Sequence, residues 1–448
     1  MFFRLDDLNY VLSCIRQGAD CSIVGISNVG KSALLRDVPG FIQNVWDAKE
    51  SSAPLAVYVD CNGMLEMTDQ GFYELILRAL TEQLQRRDAQ NPLLGALQVA
   101  YQRVINPNSH FQVALGFNDA LTALFEAVDG NLALLLDEFD EPLEGMPGRV
   151  FLNLRSLKDR YRERLCYVTA TNRRLPRLRH QHEVLEFCEL FALHTRFLGP
   201  LNREDAWAYV QDFARREGVT FDEHDFAFIY QQAGGHPGLT EVVCRDLGRV
   251  TGEPVRDASQ DWLIHREVRD RLLQEPAVRA ECARIWNNLS PLEQEALIAL
   301  GAPGRKPPEE ALASLVANKV LLERGGEHLP FCQLFQDHIR RQYLSQREPQ
   351  EGVQVDVESG EVWVDGRKVP ALTNLEYRLL LLLYGRMGKI CDKYQVVEAV
   401  WGQDYIDQVD DARIEKLVSR VRHKLESDPA NPKYLITVRG RGYRLLPA

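Results

Sequence analysis

The sequence predicts a multidomain chain: a doubly wound parallel α/β sheet, a helical lid, then two small domains of helices closed by a β-hairpin. Three observations carry this. Short apolar runs alternate with helix-period segments through the first 200 residues, as in a parallel sheet with crossover helices. From Leu201 to about residue 280 the pattern is wholly helical. Beyond it, Leu289-Ser290-Pro291-Leu292-Glu293 and Leu372-Thr373-Asn374-Leu375-Glu376 echo one another. Each has capping-box spacing at the start of an apolar helix, and each is followed later by a β-rich segment.

Composition narrows the class. At 448 residues the chain has room for about three domains. A net charge of −11 argues against a protein coated in nucleic acid, while leaving room for a local basic patch. Nine cysteines without C-x-x-C or Cys/His pairing fit buried thiols in a reducing compartment and give no zinc site. No apolar run approaches the ~20 residues of a membrane span. Met1-Phe2-Phe3-Arg4 opens no signal peptide. The expectation is a cytoplasmic protein without a membrane partner.

The elements follow in order. Residues 1–20 read as a helix, with Leu5, Leu8, Val11, Leu12 and Ile15 at helical spacing, leading to the strand Cys21–Val24. That strand feeds Gly25-Ile26-Ser27-Asn28-Val29-Gly30-Lys31-Ser32, the G-x-x-x-x-G-K-[ST] pattern between a strand and a helix start. Glycine at 25 and 30 lets the backbone turn tightly and bring N–H groups against phosphate oxygens. The expected cradle is Gly25, Asn28, Val29, Gly30, Lys31, Ser32 and Ala33, with Lys31 at the β/γ-phosphates and the Ser32 hydroxyl on Mg²⁺. A glycine-containing turn before an ordinary helix fits the same letters, and a second motif weighs against it. Leu55–Val59 is a strand, with Asp60 at its end read as a turn residue. Residues 70–105 carry one long amphipathic helical pattern (Phe72, Leu75, Ile76, Ala79, Leu80, Leu84) before the linker Asn106-Pro107-Asn108-Ser109. Then Leu132–Leu136 is wholly apolar, as a strand buried on both faces requires, and it ends in Asp137-Glu138-Phe139-Asp140. At the C-terminal edge of an open sheet those acids face the ligand crevice. Asp137 is expected to hold Mg²⁺, and Glu138 to orient and deprotonate an attacking water. Cys166–Thr171 is the next strand, running into Asn172-Arg173-Arg174. Asn202 caps the first helix of the lid region, which contains Gly234-Gly235-His236-Pro237-Gly238-Leu239.

With these motifs, about residues 1–345 resemble the P-loop ATPases of the AAA+/STAND class. The resemblance implies ATP or ADP with Mg²⁺. It implies a polar sensor beside Asp137 and Glu138, at Asn172 by the AAA+ preference or Arg173 by the STAND preference. It further implies a turn packing Pro237 on adenine, and a lid closing over the nucleotide and ending at Gly234-Gly235. A trans-acting arginine is not identifiable among Arg149, Arg155, Arg173 and Arg174. The expected division is ATPase core 1–200, lid 201–280, first winged helix 281–345, linker 346–352 and second winged helix 353–448.

The two winged helices differ where nucleic acid would sit. The third-helix region of the first, Pro308–Leu315, begins with two acids and has no arginine, so packing against the ATPase is its expected role. In the second, Ile414, Leu417, Val418, Val421 and Leu425 form one helical stripe, and Arg413, Lys416, Arg420 and His423 project opposite. Thr437–Arg444 follows as a strand–turn–strand with a basic tip at Arg439 and Arg441. Between Arg413 and Arg444 there are nine Lys/Arg against three acids, inside an acidic protein. A packed back and a basic front suit a major-groove reader.

Residues 353–448 closely resemble the OmpR/PhoB-type winged-helix domain. The likeness runs through the leading sheet Val353–Val369 with turns at Gly360 and Gly366, Leu372-Thr373-x-x-Glu376, Val400-Trp401-Gly402 and Val421-Arg422-x-Lys424-Leu425-Glu426. It closes on Thr437-Val438-Arg439-Gly440-x-Gly442-Tyr443-Arg444. It implies base contacts by Glu415, Lys416, Ser419 and Arg420, a minor-groove arginine at Arg439, and backbone contacts by Arg422, Thr437 and Tyr443. The family's receiver domain is not seen; the ATPase takes its place, so phosphorylation control is not implied. The expected function is an ATP-regulated, sequence-specific binder of double-stranded DNA, a transcription regulator and slow Mg²⁺-dependent ATPase that self-associates. An AAA+ ATPase acting on DNA (origin-recognition or transposition type) and a STAND signalling or defence sensor remain alternatives.

Overall fold

Five strands make one parallel sheet: β1 (Cys21–Val24), β2 (Leu55–Asp60), β3 (Leu132–Asp137), β4 (Leu165–Thr171) and β5 (Thr195–Phe197), in the order β2-β3-β4-β1-β5. Every residue of β1, β3 and β4 is buried, because helices cover both faces. The order inserts β4 between the glycine-rich strand β1 and the acidic strand β3, so three functional strand ends lie side by side. Val24 pairs with Thr171, and Leu136 with Thr169, which sets those ends level. The computed structural model describes residues 3–46, 53–251, 261–301, 306–344, 352–355, 362–370, 372–402 and 409–446. The chain divides into two compact units, Met1–Arg340 and Arg341–Ala448.

In the first unit α1 (Leu5–Arg16) precedes the sheet and buries Leu8, Val11, Leu12 and Ile15, while Leu5 stays exposed. Helix α2 (Lys31–Val45) follows β1 directly. Between β2 and β3 run α3 (Asp69–Arg87), α4 (Leu93–Ile105) and α5 (Phe111–Ala127). The single helix expected over 70–105 is therefore two. Asp88 is extended, Pro92 precedes the restart, and the Asn91 side chain accepts the Leu93 N–H at 3.0 Å. Between β3 and β4 lie α6 (Asp140–Gly145) and α7 (Gly148–Tyr161), then α8 (Leu175–Leu178) and α9 (His182–Cys188) before β5. Phe139, wholly buried, packs its ring on Phe72, Phe151 and Phe187 at 6.1, 6.3 and 6.2 Å between centroids. That anchor fixes the acids on either side of it.

Among the described residues the sheet is followed by α10 (Arg203–Glu217), α11 (Glu223–Ala233), α12 (Pro237–Thr251), α13 (Asp261–Leu272) and α14 (Pro276–Asn287). Asn202 caps α10, accepting the Asp205 N–H at 2.8 Å. Gly234-Gly235 does not end this region; it is the turn between α11 and α12. Both glycines sit at positive φ, 63° and 79°, and a Cβ on Gly235 would fall 2.3 Å from the Leu201 carbonyl oxygen. Pro237 then starts α12, where a missing N–H costs nothing. Helices α15 (Pro291–Gly301) and α16 (Glu309–Ala317), the hairpin β6 (Leu321–Arg324) and β7 (Glu327–Pro330), and α17 (Gln333–Ile339) complete the unit. The Ser290–Glu293 capping box forms, and Glu293 also accepts from Ser314 Oγ at 2.6 Å. Helix α16 meets the sheet domain through Arg177, which donates to Ser314 Oγ at 3.1 Å and reaches Glu310 at 3.6 Å.

The second unit opens with a three-stranded antiparallel sheet, β8 (Val353–Val355), β9 (Val362–Val364) and β10 (Arg367–Lys368). Helices α18 (Asn374–Gly385), α19 (Lys393–Trp401) and α20 (Asp411–Leu425) follow, then the hairpin β11 (Leu435–Val438) and β12 (Gly442–Leu445). The Thr373–Glu376 capping box is present. Gly360, and the linker 346–352 apart from Gly352, lie outside the described residues.

Candidate phosphate site and nucleic-acid interface

The glycine-rich loop joins β1 to α2 at the sheet's C-terminal edge. The Gly25 N–H donates to Thr171 O at 3.1 Å, tying the loop to β4. A side chain at 25 would meet Leu198 O at 2.7 Å, so glycine is required there by crowding. Asn28 (φ 53°) and Gly30 (φ 106°) both take the left-handed region. Val29 is buried, while Ala33 is exposed in the first turn of α2.

Lys31 is 5% exposed, and its ammonium donates to Gly25 O at 2.8 Å, Ile26 O at 3.2 Å and Asn172 Oδ1 at 2.9 Å. Burial pulls its pKa down, and Asp140, Glu138 and Asp137 oppose that fall. Asn172 is itself held. Its backbone N–H donates to both Asp140 oxygens at 2.9 and 3.1 Å, and its Nδ2 to Oδ2 at 3.3 Å. Burial pushes the Asp140 carboxyl up to about 6, against the pull of the Asn172 N–H and Lys31. Arg173 reaches Glu144 instead, at 3.9 Å. Of the two sensor candidates, only Asn172 is brought to the lysine.

Asp137 is fully buried and accepts the Tyr58 hydroxyl at 2.6 Å on Oδ2; Oδ1 is buried with no partner among the described residues. Glu138 takes a left-handed backbone (φ 50°), with the Ser32 hydroxyl near enough to favour its charged form. Burial raises its pKa, opposed by Lys31. A serine hydroxyl and a carboxylate oxygen lacking a partner are hard donors that suit Mg²⁺, which takes one or two protein ligands and completes its shell with phosphate and water. Pro237 reaches the loop too: its Cγ lies 3.9 Å from where a Cβ on Gly30 would sit. Arg4, Asp140, His236 and Glu281 also hold this site, although none was chosen from the sequence. Asp140 lay inside the acidic motif and His236 inside the glycine turn; Arg4 and Glu281 had no local signal.

In the second unit, α20 buries Ile414, Leu417, Val418, Val421 and Leu425. It exposes Arg413, Glu415, Lys416, Ser419, Arg420 and His423. Arg439 and Arg441 are exposed at the hairpin tip, beside Gly440 (φ 72°). Thr437 pairs with Tyr443 across the hairpin. Arg422 is committed inward, Nε donating to Leu435 O at 2.8 Å and Nη2 to Thr437 Oγ1 at 2.6 Å, so it sets the spacing between helix and hairpin. The hairpin is pinned a second time by mutual backbone hydrogen bonds between Cys391 and Tyr443, at 2.8 and 2.9 Å. Glu426 orders the loop before β11 by accepting from the N–H groups of Lys433, Tyr434 and Leu435 at 2.7–2.9 Å. Lys424 donates to Glu376 at 2.7 Å, joining α20 to the start of α18.

Fold and site define a two-part molecule: a phosphate-loop α/β unit with an acidic strand end, in one chain with a helical unit carrying a basic helix and hairpin. Residues 366–445 match the family described as "Transcriptional regulatory protein, C terminal". The sensory transduction protein RegX3 of Mycolicibacterium smegmatis is 41% identical over 93 residues, 21% of this chain and 40% of that protein. The transcriptional regulatory protein YrkP of Bacillus subtilis is 38% identical over 92 residues, 20% of this chain and 39% of that protein. The chain thus spans about 40% of the length of these curated relatives. Among solved structures, the Walker-type ATPase paby2304 of Pyrococcus abyssi superposes with a TM-score of 0.51 at 14% identity, covering 76% of this chain and 96% of that one. That likeness is one of fold. Among the described residues, no helix is long and apolar enough to cross a membrane.

Proposed function

We propose that the chain is an ATP-regulated, sequence-specific DNA-binding protein that controls transcription. The observation that carries the reading is the meeting of Lys31, Ser32, Asp137, Glu138 and Asn172 at the end of β1, β3 and β4, in one chain with the basic face of α20. In this reading the loop amides from Gly25 to Ala33 and the start of α2 hold the phosphates of ATP or ADP. Lys31 exchanges its carbonyl partners for β/γ-phosphate oxygens. Ser32 and Asp137 hold Mg²⁺, which when bound supplies charge neutralisation at the phosphates. Glu138 orients water and accepts its proton, and Asn172 holds the lysine in line. Turnover is slow, as a switch needs no speed.

The second unit reads the major groove with Glu415, Lys416, Ser419 and Arg420, and places Arg439 in the minor groove. Arg413, Arg441, Thr437 and Tyr443 contact the sugar–phosphate backbone. Arg422 is better placed to position the hairpin than to touch DNA. The segment 281–345 serves as a first winged helix against the ATPase, and copies of the chain self-associate in a nucleotide-dependent way in the cytoplasm. Nuclease footprinting upstream of the protein's own operon, with ATP, with ADP and without nucleotide, tests this. A positioned footprint supports the regulator; broad coverage that grows with duplex length supports an ATPase that acts on DNA and overturns it.

A further inference from the structure

Three consecutive residues of the phosphate loop are each held by a different distant element. His236 Nε2 lies 2.9 Å from Ser27 O, while its Nδ1 accepts the Leu239 N–H at 3.3 Å, which makes Nε2 the protonated nitrogen and the donor. Asn28 Nδ2 donates to Glu281 Oε2 on α14 at 2.9 Å. Arg4 Nη2 donates to Val29 O at 2.7 Å and also to Gly199 O at 2.7 Å, just past β5. The circuit closes through the helical region, because the Leu201 N–H donates to Gly235 O at 2.9 Å, one residue before His236. Arg4, His236 and Glu281 are all nine-tenths buried or more. Burial holds His236 neutral, its pKa lowered to about 4, so the donor is in place throughout the neutral range.

From this geometry we infer that Arg4, His236 and Glu281 are positioning residues for the phosphate loop, coupling its conformation to helices α10–α14. Each fixes a carbonyl or side chain of the loop, and with it the backbone course that sets the neighbouring N–H groups. The coupling is reciprocal: a loop drawn onto phosphate tightens the helical region, and a loosened helical region weakens phosphate binding. The inference rests on the nucleotide reading above, and deepens it by assigning the three residues that carry the signal.

The test uses the full chain, with MgADP as the probe in titration calorimetry and amide hydrogen exchange. His236→Ala is expected to weaken MgADP binding roughly three- to tenfold, the worth of one buried hydrogen bond, and to speed exchange across the loop and the start of α12 in the nucleotide-free protein. His236→Gln, whose amide N–H takes the place of Nε2–H, is expected to stay within about twofold of wild type, a rescue that space-filling alone does not give. Should His236→Ala fail to fold, Glu281→Met decides in its place, since it keeps the volume and removes the acceptor for Asn28; the same roughly three- to tenfold loss is expected. Unchanged affinity and exchange in a folded variant overturn the inference. Wild type that holds no MgADP overturns instead the nucleotide reading beneath it.

Discussion

Single side chains carry the sharpest tests. Lys31 is buried among carbonyls and acids that keep its charge in place, so Lys31→Ala removes the ammonium held against Gly25 O and Ile26 O. MgATP affinity is expected to fall at least roughly a hundredfold, measured by calorimetry, as charged hydrogen bonds to phosphate are lost. His236 gives a pH signature. Its folded pKa of about 4 lies below the unfolded value near 6.5, so the unfolded chain takes up a proton that the folded chain resists. Its stabilising effect is complete above pH 6.5 and is lost as pH falls toward 4. Asp140 acts with the opposite sign: its folded value of about 6 exceeds the unfolded 3.8, so its contribution falls as pH rises through that window. A difference between variants separates the two. From pH 7 to pH 5, wild type is expected to lose about 2 kcal/mol more stability toward urea than His236→Gln. Equal losses would remove the buried neutral imidazole from the account.

At the scale of elements, the hairpin of the second unit is held by close backbone approach. Gly442 has a φ of 125°, and a Cβ there would lie 2.0 Å from Cys391 O. Gly442→Ala should therefore lower stability by about 2–4 kcal/mol in thermal unfolding and detach the hairpin from residue 391, weakening DNA binding with it. The exposed face of α20 predicts a different signature. Arg413→Ala should weaken binding to all duplexes alike and reduce the slope of log affinity against log salt by about one, measured by anisotropy; a sequence-selective loss would make it a base contact.

Elements also show what was legible in the chain. Leu132–Asp137 declared itself because a strand buried on both faces must be apolar throughout, and the stripe of α20 because one face packs while the other is wet. Strand β5 did not: three residues at a sheet edge, one of them Arg196, show neither period nor apolar run. The break after Arg87 was written in Asn91-Pro92 but hidden by the helical apolar spacing that resumes beyond it. Arg4 and Glu281 were beyond local reading, since their partners lie 25 to 253 residues away and the contacts are made to a backbone carbonyl and a side-chain amide. Asn172 and Arg173 were separable only by geometry, which gives the first to Lys31 and the second to Glu144.

The whole molecule is joined by linkage: a ligand bound by the first unit must change what the second unit does, or the fusion has no regulatory meaning. One DNA-binding domain of this size neutralises few phosphates, so affinity gained by presenting two or more together is the physical route proposed. The most direct measurement is the affinity of the full chain for duplex from its own promoter region, with MgATP, with MgADP and without nucleotide, at one fixed salt concentration, with oligomeric state followed in parallel. An affinity difference between nucleotide states of roughly tenfold or more is expected, matched by a change in assembly and abolished by Lys31→Ala. The same affinity and the same oligomer in all three conditions would contradict it.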